Sequence, residues 1–242
     1  LPLEILFEDE YLIIINKAPG MVVHPAPGHP DKTLVNAILF HCPDLKGIGN
    51  EKRPGIVHRL DKGTSGIMVI AKEQRTHEGL VKLFSEHDIE RKYEAICLGA
   101  KVPQETKLDA PIGRSPHNRL KMAANVKNAK RAVTYLKTLA YYQTLSHVEL
   151  SLETGRTHQI RVHLSELLNT PILNDKLYGR EKEEKDKISS PLKGLIKGYE
   201  YPFLHAKILG FIHPMTKEKL FFEIEPPPLF LKVCQQLEKE ND

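Results

Sequence analysis

The apolar run GIMVIAK, residues 66–72, is the feature that most constrains the fold of this chain. Its hydrophobic residues stand at successive positions instead of every second one, which is typical of a strand buried on both faces. Such a strand needs neighbouring strands beside it and a covering layer above and below. The chain is therefore expected to build a sheet in the middle of a domain.

Other segments predict the strands and helices around it. Alternation of apolar and polar residues with a period of two, together with Pro and Gly turns, predicts strands. They are expected in these segments: two or three within 4–25, one each in 56–61, 91–99, 132–142 and 146–155, and a hairpin within 203–228. Helical spacing predicts helices in these segments: 31–42 with Asp31 or Thr33 as cap, 74–89, 156–169 with Thr157 as cap, and a short C-terminal one.

The strand-rich pattern predicts an α+β fold, with a mixed, mainly antiparallel central sheet flanked by helices. No Gly/Ser linker divides the 242 residues, so a single domain over 1–242 is expected. The charged, Pro- and Gly-containing segment 180–194 is expected to be a mobile excursion from that domain.

Composition excludes several classes of protein. No apolar run approaches the roughly 20 residues of a membrane helix, and the N-terminus does not resemble a signal peptide, so a cytoplasmic protein without a membrane partner is expected. The three cysteines are far apart and form no CxxC pair, which argues against disulfides and zinc. Twelve histidines include no HExxH pattern, so no metal site is expected.

Charge distribution points to an anionic partner. The net charge is only +4, but no acid occurs between Asp109 and Glu149. A run of one sign repels itself unless a polyanion compensates it, which favours nucleic acid over a merely solvated face. The candidate phosphate contacts in this run are Arg114, Arg119 and Lys121.

Asp61, in the stretch GIVHRLDKGTSG, is the first candidate for chemistry. It is expected to end a strand, where Arg59 would point to the same side and keep the carboxylate ionised. An ionised, partly desolvated carboxylate can act as a nucleophile. An Asp before Lys-Gly is also a common turn former, and the segment alone favours that role.

Two further segments supply candidate partners. In ETGRTHQIRVHL, Arg156 precedes a predicted helix and could contact phosphate, whereas Arg161 lies within the helix and needs an anion such as Asp61 or phosphate. His158, Arg161 and Ser165 are expected to share one helix face. In ERKYEA, Tyr93 lies on a strand, where it could be core, stack on a base or accept a proton.

Taken together, these segments resemble a known family. GIVHRLDKGTSGIMVIAK, ERKYEAICLG, ETGRTHQIRVHL and PILNDKLYG occur in the order of the RluA-type RNA pseudouridine synthases, above all of their RluD-like branch, which modifies large-subunit ribosomal RNA. In the last segment Asn174 stands where that family more often has Gly. The resemblance extends over nearly the whole chain.

The resemblance implies roles for the matching positions. Asp61 corresponds to the catalytic aspartate, Tyr93 to the active-site tyrosine that packs on the base, and Arg161 to the cation that pairs with the aspartate. The following residues are implied to line the RNA site: His58, Arg59, Arg156, His158 and the apolar Leu204. The N-terminal S4 RNA-binding domain of many RluD-like proteins is expected to be absent from this chain.

The implied reaction cuts the N1–C1′ bond of uridine, rotates the base and joins C5 to C1′. The base must be flipped or unpaired to be reached. Asp61 could attack C6, trap C1′ or assist a glycal route, and all three remain open. No cofactor is expected. The expected partner is RNA, 23S ribosomal RNA first, with tRNA or another ribosomal site open, and the expected state is a monomer.

Two other classes of function compete with this interpretation. A glycoside hydrolase or nucleosidase also cuts a bond at C1′, but it generally needs a second carboxylate, and none stands in the segments that resemble the active site. A non-catalytic RNA-binding module would keep the basic run but would not need an acid in its cleft.

Overall fold

The computed structural model of the chain describes residues 2–25, 27–28 and 30–242. These residues form two compact units. The first unit contains the chain up to Arg91 and the segment Ala206–Glu225, and the second contains Lys92–His205 and Pro226–Asp242.

The strands, in chain order, are β1 (Glu4–Glu8), β2 (Leu12–Lys17), β3 (Gly49–Asn50), β4 (Arg53–Pro54), β5 (Ser65–Ala71), β6 (Glu90–Leu98), β7 (Glu105–Asp109), β8 (Ile112–Arg114), β9 (Met122–Ala124), β10 (Val133–Tyr141), β11 (Leu145–Leu152), β12 (Leu204–Ile212) and β13 (Lys219–Glu223). The helices are α1 (Leu34–His41), α2 (Gln74–Ser85), α3 (Gln159–Val162), α4 (Glu181–Lys187), α5 (Ser190–Ile196) and α6 (Pro228–Glu240). A 3₁₀ turn covers Pro43–Leu45, and a π-helical segment, His163–Leu167, follows α3.

In the first unit the strand order is β1-β2-β5-β12, and β13 also pairs with β12. The pairs β1–β2, β2–β5 and β12–β13 are antiparallel. Every residue of β5 is buried, as its continuous apolar sequence predicts. Leu80 of α2 packs into the core cluster that Ile67 and Val69 of β5 form with neighbouring strands.

In the second unit the strand order is β6-β11-β10-β7, and all three pairs are antiparallel. Helix α6 contributes Phe230, whose ring lies 5.9 Å from that of Phe203 and 5.8 Å from that of His147. Strands β8 and β9 form a separate two-stranded hairpin. The α+β prediction is confirmed. That residues 1–242 act as one catalytic domain stays a prediction.

One local prediction, the cap of the first helix, is confirmed. Helix α1 begins after Thr33, whose hydroxyl oxygen accepts the Asn36 N–H while the Asn36 side chain accepts the Thr33 N–H, a complete capping box. Asn174 has a left-handed backbone with φ of 67°, a conformation that Asn adopts more readily than most residues and Gly adopts freely. The substitution of Asn for Gly therefore keeps the local turn.

The predicted strand at residues 56–61 is wrong. Ile56 makes one isolated bridge to Ile70, and the chain then leaves the edge of β5. The next donor on that edge, the Val69 N–H, is taken by the side chain of His58 at 3.1 Å. A ring nitrogen thus replaces the main-chain acceptor that a continuing strand would supply.

Two further predictions concern helices. The helix expected at 156–169 begins only at Gln159, because His158 has a left-handed φ of 58° that is not helical. The predicted cap at Thr157 is therefore wrong, since His158 stands at the N-cap position of α3. The segment 180–194, expected to be a mobile excursion, contains α4 and most of α5, and its mobility stays a prediction. Ion pairs at i,i+4, 3.0 Å and 2.9 Å long, support α4, and Ser189 caps α5.

Within the described residues, no helix combines the length and the apolar character that crossing a bilayer requires.

Candidate active site

Asp61 lies in the loop that leads into β5. The Thr64 N–H donates to the Asp61 carbonyl at 3.0 Å, which closes a four-residue turn over Lys62 and Gly63. The predicted turn is confirmed, whereas the predicted position at a strand end is wrong. Asp61 is partly exposed and not part of the buried core.

A buried lysine holds this turn. Lys17, the last residue of β2, is 1% exposed, and its Nζ donates to the carbonyls of Ala18 (3.1 Å), Met21 (2.8 Å) and Lys62 (3.0 Å). Burial lowers the pKa of Lys17 to about 7, and the charge of Asp61 acts in the opposite direction. Sequence reasoning missed Lys17, although a lysine ending the apolar strand LIIINK was an available signal.

His58 and Arg59 occupy different environments. The His58 ring stacks on Phe84 at 4.7 Å, and its Nε2 accepts the Val69 N–H. Burial and, to a lesser degree, Arg91 lower the pKa of His58 to about 3, so the ring is neutral. Arg59 is exposed, with Nη1 3.3 Å from Nε2 of His24. The structure gives His58 a role in holding β5, and contact of either residue with RNA stays a prediction.

In the second unit, Arg161 forms a buried two-pronged ion pair with Asp175. Its Nε and Nη2 donate to the two carboxylate oxygens at 2.8 Å and 2.9 Å. The backbone N–H groups of Leu177 and Tyr178 also donate to Asp175, at 3.0 Å and 3.1 Å. Burial alone would raise the pKa of Asp175, but the hydrogen bonds and charge of Arg161 outweigh it and hold the pKa below its ordinary value.

Tyr178 contacts polar side chains from the turn before α3, from α3 and from the π-helical segment. His158 Nδ1 lies 2.6 Å from the Tyr178 hydroxyl, the Arg161 guanidinium lies 5.0 Å from the ring centre, and the Ser165 hydroxyl donates to the Tyr178 carbonyl at 3.1 Å. These three side chains, predicted to share one helix face, thus all contact Tyr178, although His158 precedes the helix instead of lying on it. Asp175 and Tyr178 were missed as site residues, although the segment PILNDKLYG contains both.

The β8–β9 hairpin carries the predicted basic residues and is attached to this cluster. The Met122 N–H donates to the Tyr178 hydroxyl at 2.8 Å, and the Ala124 N–H donates to Glu166 Oε2 at 2.6 Å. Lys121 lies with Nζ 5.9 Å from the Tyr178 ring centre. Beyond these anchors, Arg114 and Arg119 are exposed at the free end of the hairpin, where a large anion can reach them.

The remaining predicted residues of the second unit are placed as follows. Tyr93, on β6, is 8% exposed and lies opposite Leu150 of β11. Leu204, at the start of β12, is 5% exposed. Arg156 is exposed, and its Nε donates to the Arg131 carbonyl at 2.8 Å. Tyr93 and Leu204 are thus buried, whereas Arg156 presents its charge to solvent, and contact of all three with RNA stays a prediction.

One group of potential metal ligands occurs among the described residues: Glu8, His41 and Cys42. Both oxygens of Glu8 already face other partners, since His41 Nε2 lies 2.8 Å from one and Lys72 Nζ lies 2.8 Å from the other. The arrangement is a surface ion-pair cluster, and we assign no metal chemistry to it.

Each unit offers its own chemistry. The first presents Asp61, partly exposed, on an anchored turn, and a carboxylate is a group that can act as a nucleophile. The second presents a guanidinium fixed by a carboxylate and an aromatic ring, next to an exposed basic hairpin that is suited to phosphate.

Comparison with known proteins agrees with these features. Residues 11–166 match the family described as RNA pseudouridylate synthase. The chain is 47% identical to ribosomal large subunit pseudouridine synthase D of Zymomonas mobilis, over 94% of this chain and 70% of that protein. It is 41% identical to the uncharacterized RNA pseudouridine synthase YlyB of Bacillus subtilis, over 99% of this chain and 74% of that protein.

A solved structure shows the same fold. Human RNA pseudouridylate synthase domain containing 4 superposes with a TM-score of 0.72 at 27% identity, covering 97% of this chain and 93% of that one. The sequence matches, the shared fold and the site chemistry lead to one conclusion: this chain belongs to the RNA pseudouridylate synthase family, and it is an isomerase.

Proposed function

We propose that this enzyme converts specific uridines of 23S ribosomal RNA to pseudouridine, with Asp61 as the nucleophile. The observation that carries the choice of RNA is the 47% identity, over 94% of the chain, to a relative named for the large ribosomal subunit. The exposed basic hairpin supports a structured RNA substrate, because its charges can follow a phosphate backbone.

The proposed reaction begins with attack by the Asp61 carboxylate on the nucleoside. The attack bonds the carboxylate to the nucleoside, the N1–C1′ bond breaks, and the uracil turns within the enzyme. C5 then bonds to C1′ and the bond to the carboxylate breaks, which regenerates Asp61. The proton on C5 is released, and N1 takes up a proton. The anchored turn around Asp61 supports this role, because a nucleophile gains most when its position is fixed before the substrate arrives. We assign Tyr93 to stacking on the base or accepting the C5 proton, and Arg161 to electrostatic support.

The RNA target can be tested with substrates that carry tritium at C5 of uridine. We expect the purified chain to release tritium from 23S ribosomal RNA that was prepared from a strain lacking this enzyme, and to leave tRNA from the same strain unchanged. Sequencing of the product should show pseudouridine at the positions that the strain had lost. Tritium release from tRNA alone would show that the target is tRNA. Release from neither RNA would contradict the proposed function.

Binding by the hairpin has its own test. The double variant Arg119→Ala/Lys121→Ala is expected to weaken RNA binding and to flatten its salt dependence. Each phosphate contact that is lost should reduce the slope of log K against log[salt] by about 0.7 to 0.9. The measurement is an RNA titration at several salt concentrations.

The matched control is Lys193→Ala/Lys197→Ala, which removes two exposed cations at α5 and its C-terminal end in the same unit. It should leave the slope unchanged. An equal slope for the hairpin variant and the wild type would show that the hairpin does not contact phosphate.

A further inference from the structure

A chain of buried polar side chains runs beneath the start of α3 in the second unit. It consists of Thr134, Thr154, Gln159 and His163, which are between 0% and 4% exposed. None of these residues belongs to the candidate active site. Gln159, however, stands two positions before Arg161, and His163 stands two positions after it. Burying four polar side chains is costly unless every one of them is hydrogen-bonded.

The direction of each hydrogen bond on one side of this network can be deduced. The carbonyl of Ala110 can only accept, so His163 Nε2 donates to it at 2.9 Å. The neutral ring must then accept at Nδ1, from the hydroxyl of Thr134 at 2.9 Å. Burial lowers the pKa of His163, which keeps the ring neutral although Asp109 and Glu166 act in the opposite direction.

The other side of the network follows from the same logic. The Thr134 oxygen accepts from Gln159 Nε2 at 2.9 Å, and the same nitrogen donates to the Val133 carbonyl at 3.0 Å. Gln159 Oε1 accepts both from the Thr154 hydroxyl at 2.7 Å and from the Arg156 N–H at 3.0 Å. The Thr154 oxygen in turn accepts the Val133 N–H at 2.9 Å. The hydrogen bonds therefore run in one consistent order.

The network joins the elements that carry the RNA-facing and catalytic cations. Ala110 stands two residues before β8, at the root of the basic hairpin, and Val133 and Thr134 begin β10. Arg156 belongs to the turn before α3. The π-helical segment begins at His163, and such segments occur often at functional sites. An apolar core could hold these elements, but a fully satisfied polar network specifies one arrangement of them.

We propose that Thr134, Gln159 and His163 are positioning residues for the isomerisation: their hydrogen bonds fix the turn of Arg156 and the helix of Arg161 relative to the root of the basic hairpin. The inference rests on the proposed function for its kinetic consequence. These residues act through the cations that they place, and they do not touch the nucleoside.

The test is Thr134→Val, which keeps the shape of the side chain and removes the hydroxyl that joins His163 to Gln159. Under single-turnover conditions with saturating RNA, at a temperature where the variant is folded, we expect tritium release to slow about tenfold, since small displacements of catalytic groups are costly. Thr134→Ser restores the hydroxyl and should recover most of the rate.

The matched control is Thr138→Val. Thr138 is on the same strand, is 3% exposed, and loses a comparable hydrogen bond, from its hydroxyl to the Pro103 carbonyl at 2.8 Å. Thr138→Val should lower the free energy of unfolding but leave the rate of tritium release unchanged. Thr134→Val could instead lose as much stability as Thr138→Val and still release tritium at the wild-type rate. The network would then be only structural, and the inference would be overturned.

Amide hydrogen exchange separates this inference from the proposed function. Thr134→Val should speed exchange at the N–H of Arg156 and in residues 110–114, and Thr138→Val should not. This readout needs no substrate, so it tests the network even if the wild type releases no tritium. Unchanged exchange at these positions would count against the network regardless of activity.

Discussion

Replacing Asp61 by Asn is expected to abolish tritium release from uridine C5 and to leave RNA binding intact. Asn preserves the size of the side chain and the turn closed by the Thr64 N–H, but an amide is a far weaker nucleophile than a carboxylate. Removing the nucleophile of an enzyme lowers its rate constant by about a thousandfold or more. The loss should appear in the single-turnover rate and not in the affinity for RNA.

Asp44→Asn provides the comparison, because Asp44 is an exposed acid of the same unit, on the 3₁₀ turn, and loses the same charge. It should release tritium at the wild-type rate. Substantial activity in Asp61→Asn would remove Asp61 from the chemistry and return it to its structural role as a turn residue.

The second large effect is expected at Asp175. Asp175→Asn removes the charge that accepts both donors of Arg161, in a site where Asp175 is 4% and Arg161 9% exposed. Breaking one half of a buried ion pair typically costs about 3 kcal/mol or more. We expect this loss in the free energy of unfolding from urea titrations at neutral pH, together with slower single-turnover release because Arg161 is less well held.

The pH dependence of protein stability independently tests the charge of Asp175. Because the pKa of Asp175 is lowered in the folded protein, its contribution to stability is present above the ordinary aspartate range and is lost as the pH falls through the folded-state pKa. The difference in the free energy of unfolding between wild type and Asp175→Asn should therefore become smaller in acid. Asp109→Asn is the control, since its pair with Lys107 is 3.7 Å long and half exposed and should contribute at most about 1 kcal/mol. A difference that stays constant with pH would contradict the assigned charge state.

Sequence patterns predicted the parts of this fold in which one local rule dominates. The continuous apolar run of β5 left few alternatives to a doubly buried strand, and Thr33, one of the two predicted caps, precedes the first residue of α1. Spacings of three and four also singled out His158, Arg161 and Ser165, which all contact Tyr178. In each case the residues that decide the structure are neighbours in the chain or lie within one or two helical turns.

The errors arose where a side chain distant in sequence replaces a backbone partner. His58 takes the N–H of Val69, eleven residues away, and so ends the pairing that would have made residues 56–61 a strand. The late start of α3 has a local cause instead, the left-handed backbone of His158 directly before it. Lys17 holds the carbonyl of Lys62, forty-five residues away, and no local pattern reveals such a contact.

The attachment of the hairpin has a consequence for how enzymes of this kind change substrates during evolution. Both anchoring bonds start from main-chain N–H groups, those of Met122 and Ala124, and end on side chains outside the hairpin, Tyr178 and Glu166. Mutations of the hairpin side chains therefore leave these donors in place. The exposed charges of the hairpin can therefore change one residue at a time while the hairpin keeps its attachment near Arg161. Under the role proposed for the hairpin, RNA preference could change in this way without displacing Arg161.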